Sequence, residues 1–162
     1  MGHLNYSALR SLTIATDLAL EFLGMFSRFE YALKATTFRQ QGGGEVKADW
    51  AAFAQSIAGS FNPSRTPDSA AASAYFAAEP LRYLVERNGA LAWVPFVPRG
   101  NSDAERTISI IRQIRNNLFH GGKFAPDNRA SADRDTKLVN AAMVLLSEML
   151  SLVPDVEAAY LR

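Results

Sequence analysis

Cysteine is absent from the chain, which rules out a disulfide framework, a thiol nucleophile and a zinc–thiolate site. Histidine is almost absent: His3, near the start, and His120 are the only two. Charge of one sign is not in excess. The 17 basic and 16 acidic side chains leave a formal net charge of +1, so any nucleic-acid site has to be a local patch. Long apolar runs are missing too. The best of them, AAMVLLSEMLSLV, contains Glu148 and is too short to span a bilayer. The opening residues MGHLNYSALR lack the basic and apolar regions of a secretory signal. These absences point to a cytoplasmic protein that does not use a membrane. No stretch alternates polar and apolar residues in the way that predicts a strand.

What is present is helical periodicity in a chain whose 48% hydrophobic content suffices for a core without disulfides or metals. The length of 162 residues suits a single domain over 1–162. The fold class predicted is all-α, an antiparallel bundle of about five main helices. A first helix is placed over about 5–40, where Leu18, Phe22, Met25, Phe26, Phe29 and Leu33 share one face, and Thr16 or Asp17 can cap a second start within it. QQGGGEVKAD breaks the pattern. DWAAFAQSIAGSF is a short helix with Asp49 as its cap, and PDSAAASAYFAAE is another. PLRYLVERNG is read as a helix, with Pro80 in its first turn and Gly89 past its end. WVPFVPRGNSD is an extended connection. Ser102 and Glu105 have capping-box spacing at the start of the next helix. The carboxylates of SADRD, Asp133 and Asp135, are read as the solvated start of the helix TKLVNAAMVLLSEMLSLV, and Pro154 opens a short terminal helix.

The stretch IRNNLFHGGK, residues 114–123, asks for an explanation. On a helix over 105–120, Ile110, Ile111, Ile114 and Leu118 share the core arc, while Ser109, Arg112, Gln113, Asn116 and His120 lie opposite. Arg115 belongs to neither set. It projects beside Ile108, Ile111 and Phe119, at the edge of the apolar arc. A guanidinium there needs a carboxylate, a subunit interface or an anionic ligand, because an unpaired buried charge is very costly. On placement alone an internal Arg–Glu pair is the simpler account. His120 lies five positions on, about 140° around and about 7–8 Å along. The two side chains reach one atom only if the last turn unwinds before Gly121, or if two copies meet about a two-fold axis. A histidine at a helix C-terminus also interacts well with the dipole without further role.

The segment RNNLFH resembles the R-x4-H motif of HEPN domains, including the polar Asn116 after the arginine. RFEYALK, with Glu30 and Lys34 in an E-x3-K pattern, is similar to the N-terminal helix of that family. The likeness covers the first helix and about 105–150. Residues 43–100 match nothing in it and form a less typical central region. The resemblance implies a HEPN-like helical domain that forms a homodimer with both motifs at the interface. Many members are metal-independent endoribonucleases of toxin–antitoxin, phage-defence and CRISPR-associated systems; others bind nucleotides or serve as assembly modules. Carried over, Arg115 and His120 are the catalytic pair, with Asn116 as an accessory polar group and Glu30 and Lys34 as weaker matches. An ordinary i,i+4 ion pair explains Glu30 and Lys34 equally well. Glu30 is alternatively the carboxylate that anchors Arg115.

These residue types suit RNA cleavage. The 2′-hydroxyl attacks the adjacent phosphate, so a catalyst has to move protons and stabilise charge on phosphorus. Histidine does the first near neutral pH and arginine the second. Asn117 can orient a phosphate or the imidazole. Arg112 and Lys123 belong to a local excess of five basic over two acidic side chains across 99–123, which a two-fold axis would double. No metal ligand set and no cofactor are implied. RNA is the expected substrate, and an antitoxin such as a small nucleotidyltransferase the expected partner. The alternative is a non-catalytic helical module that binds a nucleotide or a protein, with Arg115 in a structural ion pair and His120 as a cap.

Overall fold

The structure, a computed structural model, describes residues 12–119 and 132–162. Among them are six helices: α1 (Thr16–Lys34), α2 (Trp50–Ile57), α3 (Pro67–Ala78), α4 (Asp103–Phe119), α5 (Ala132–Leu150) and α6 (Pro154–Leu161). A two-stranded antiparallel hairpin, β1 (Arg82–Arg87) and β2 (Ala90–Pro95), separates α3 from α4. The domain is mostly helical, as its periodicity predicts, but not purely so.

The hairpin corrects the expected helix over PLRYLVERNG. Arg82 pairs with Pro95, Leu84 with Trp93 and Arg87 with Ala90. Asn88 and Gly89 both have positive φ, 53° and 78°. An Asn-Gly pair in that conformation makes the tight turn whose twist suits a hairpin. Gly89 therefore closes a hairpin rather than a helix. The extended connection read at WVPFVPRGNSD supplies the second strand with its first residues.

The first helix is also shorter at its end than expected. It stops at Lys34, where the Thr36 hydroxyl donates to the Ala32 carbonyl at 2.9 Å. Residues 38–49 then fold back on themselves: the Gln40 amide bonds the Lys47 carbonyl at 2.9 Å and the Asp49 amide bonds the Phe38 carbonyl at 2.7 Å. Asp49 caps α2 as read, accepting from the Ala52 amide at 2.9 Å. At α3 the capping box is Thr66 with Ser69. Thr66 also donates to Glu148 of α5 at 3.2 Å, tying that cap to its neighbour. Small buried residues, Ser69 and Ala72, let α3 lie close against α5.

One core joins all six helices. Its centre is aromatic. Trp50 stacks on Phe26 and on Phe29 at 5.2 Å, and Phe53 meets Phe29 edge-on at 5.3 Å. Each such ring stabilises the fold by about 1.5–3 kcal/mol through burial alone. Asp135 corrects a further expectation. It is not solvated: it is 4% exposed and accepts from the Thr13 hydroxyl at 2.7 Å, while Asp133 stays outside and pairs with Lys137 at 2.7 Å. The segment before α1 lies over the start of α5 and covers it, which local sequence does not reveal.

Candidate functional site

α4 carries the R-x4-H motif, and its start is firmly fixed. Glu105 accepts from the backbone amides of Asn101 and Ser102, at 2.9 and 3.0 Å, and the Ser102 hydroxyl accepts from the Glu105 amide at 3.2 Å. This is the capping box read from the sequence. The amides of Asn101 and Ser102 hold the Glu105 carboxyl below its ordinary range.

Helical spacing then distributes the polar residues of the last two turns. Arg115 is half-buried at the edge of the apolar arc. Its guanidinium lies 5.6 Å from the centre of the Phe26 ring of α1, and its Nη1 donates to the Asn116 side-chain oxygen at 3.2 Å. One turn on, Phe119 stacks on Phe22 at 6.5 Å. Phe22 and Phe26 meet Phe119 and Arg115 in opposite chain order, so α1 and α4 run antiparallel at the site. Arg112 and Asn116 are exposed on the same side of α4, one turn apart. Arg112, Arg115 and Asn116 therefore form one patch.

Asn117 does not join that patch. Its side-chain nitrogen donates to the Arg82 carbonyl at 2.7 Å, and its oxygen accepts from Gln113 at 2.8 Å. It fastens the hairpin to α4. Glu30 accepts from the Trp50 indole at 3.2 Å. No ion pair joins Glu30 to Lys34 among the described residues, although both lie on the α1 stripe that continues from Phe26. α4 meets α1 through Phe22 and Phe26, which precede the RFEYALK segment, and not through Glu30. His120 and Lys123 lie outside the described residues.

A second feature adjoins the end of α4, on the side away from Arg115. A cavity of about 170 Å³ opens between the hairpin, the last turns of α4 and the first turns of α5. Arg82 and Trp93 reach it from one face of the hairpin, Asn117 and Leu118 from α4, and Arg134 and Asp135 from α5. Arg134 is held there by Glu79, at 2.9 Å, and by the Pro80 carbonyl, at 2.9 Å. Sequence reasoning missed this cavity because it missed the hairpin. The available signal was the Asn-Gly pair between RYLVER and ALAWVP, two runs rich in strand-forming residues.

Among the described residues no group of three His, Cys, Asp or Glu side chains is placed to hold a metal ion. No single helix among them is long and apolar enough to cross a membrane. What the fold and site define is a mostly helical domain with a basic, asparagine-flanked patch late in α4. Comparison with protein-family models, with curated proteins and with solved structures gives no significant match for the chain.

Proposed function

We propose that the protein is a metal-independent endoribonuclease of the HEPN type, acting as a homodimer whose two R-x4-H motifs share one cleft. The observation that carries this reading is the placement of Arg115. Its cation is held at the helix edge against the Phe26 ring and steadied by Asn116. A fixed guanidinium of this kind offers a planar fork of donors to a phosphate whose charge is increasing. Arg112, exposed one turn earlier, adds attraction for the backbone. In this proposal His120 moves the proton at the 2′-hydroxyl or at the leaving 5′-oxygen, and Arg115 stabilises the phosphorane-like charge.

The test is cleavage of single-stranded RNA, and of DNA of the same sequence, by purified protein in EDTA. RNA is cut and DNA is not, because only RNA carries the internal nucleophile. His120→Ala and Arg115→Ala each lose activity by about 100-fold or more. Equal activity of wild type and His120→Ala, or loss of activity on chelation, rules the mechanism out. Light scattering has to find two copies in the active species. A protein that stays monomeric and cuts no RNA returns the chain to the reading of a binding module.

A further inference from the structure

Arg99 reaches α4 from outside the helix. Its backbone amide donates to the Ser109 hydroxyl at 2.9 Å, and that hydroxyl donates to the Arg106 carbonyl at 2.9 Å. The chain is held on both sides of Arg99. Pro98, half-buried, lines an apolar pocket with Phe76, Phe96 and Ile110. Gly100, at φ +115°, lies so close to α4 that a Cβ on it would run into the Glu105 Cβ. The exposed side chain of Arg99 therefore starts from a fixed point on the helix surface.

That point belongs to the arc of the candidate site. Ser109, Arg112 and Asn116 follow at spacings of three and four, so they share one side of α4 and span about 10 Å along it. Arg99 is thus anchored about one turn before Arg112, as Arg112 is one turn before Asn116. The neighbouring charges are already engaged. Arg106 pairs with Asp103 at 2.8 Å, and the Glu105 carboxylate accepts from the amides of Asn101 and Ser102. Arg99 and Arg112 are both exposed, and neither takes part in an ion pair among the described residues. Two cations on one side of a helix repel, and a strand of phosphates that passes both relieves the repulsion. Each guanidinium offers a planar fork of donors that matches phosphate oxygens.

We propose that a single RNA strand runs along α4 from the R-x4-H motif towards the start of the helix, with one phosphate on Arg112 and a further one on Arg99, an inference that rests on the ribonuclease reading for its substrate. Neither contact reads a base. The track supplies affinity and register and no base preference.

The test is fluorescence-anisotropy titration with a labelled 2′-O-methyl RNA of mixed sequence, at several salt concentrations. Its blocked 2′-oxygen cannot attack, so the result does not depend on cleavage. Each phosphate contact on a single strand contributes about 0.7 to the slope of log K against log salt. The wild-type slope is therefore about −1.4 or steeper. Arg99→Gln and Arg112→Gln each make it shallower by about 0.7, and the double variant by about 1.4. Arg99→Lys keeps the charge and the slope. Arg87→Gln removes an exposed cation at the far end of the hairpin and leaves the slope unchanged. No binding by wild type, a slope unaltered in folded Arg99→Gln, or an equal effect of Arg87→Gln overturns the proposal. If Arg99→Gln does not fold, a wild-type slope shallower than about −1.4 overturns it on its own. Protein that binds with this salt dependence yet cuts no RNA keeps the track and loses the nuclease. Protein that cuts RNA with the Arg99→Gln slope unchanged keeps the nuclease and loses the track.

Discussion

The Arg115 guanidinium rests 5.6 Å from the centre of the Phe26 ring, joining the motif helix to the first helix of the domain. The contact is electrostatic, between a cation and the negative face of a ring. It is worth about 0.5–2 kcal/mol, depending on how much water is excluded. Phe26 also stacks on Trp50, so Phe26→Leu costs more than this one contact. A double-mutant cycle with Arg115→Met isolates it. Urea unfolding of the four proteins gives a coupling energy of about 0.5–2 kcal/mol. A coupling of zero means that the ring does not hold the guanidinium.

Asn117 is expected to act on the hairpin and not on stability at large. Asn117→Ala removes the bond to the Arg82 carbonyl and leaves that carbonyl to water, at a cost of about 1 kcal/mol. Hydrogen exchange is the direct readout. Amides of β1 and β2 exchange faster in the variant, while those of α1 and α5 keep their protection. Uniform acceleration across the domain contradicts this role.

Glu105 makes the start of α4 sensitive to acid. The Asn101 and Ser102 amides bond its charged form and lower its pKa in the folded protein from the ordinary 4.5. A depressed carboxyl stabilises the fold fully above its unfolded pKa, and that contribution is lost as pH falls through the folded value. The Tm advantage of wild type over Glu105→Ala is therefore constant from neutral pH to about pH 5 and shrinks on further acidification. An advantage that grows at low pH reverses the assignment.

Gly100 is required by the turn that leads into α4. Its φ is +115°, and a Cβ built on it would stand 2.2 Å from the Glu105 Cβ. Gly100→Ala thus meets both backbone strain and a contact with an atom fixed to the helix. The variant is destabilised by about 1–3 kcal/mol. Thermal or urea unfolding measures it, and a neutral substitution refutes the geometry. Gly43→Ala is the control, because nothing lies within 4 Å of its added Cβ.

The helical plan was legible because period and caps are local. Asp49 and the Ser102–Glu105 pair act on amides within four residues of themselves. RYLVER was misread for an equally local reason: a short apolar run satisfies either period, and the turn that decides between them lies beyond it. Once Asn88 and Gly89 take positive φ, the strand pairing follows. The candidate site was legible in part. Arg115 at the edge of the apolar arc is a matter of 100° steps along one helix, and Phe26 was visible as a core residue but not as its partner.

The amino-acid order alone determined that this is a mostly helical chain without thiol chemistry, and that a guanidinium and two carboxamides crowd the end of one helix. Only the tertiary structure decided how those groups divide. It set Arg115 against α1, turned Asn117 to the hairpin at Arg82, 35 positions away, and buried Asp135 under Thr13, 122 positions away. Helical angle fixes the direction in which a side chain leaves its own backbone. What it meets there depends on which distant segment the core brings alongside.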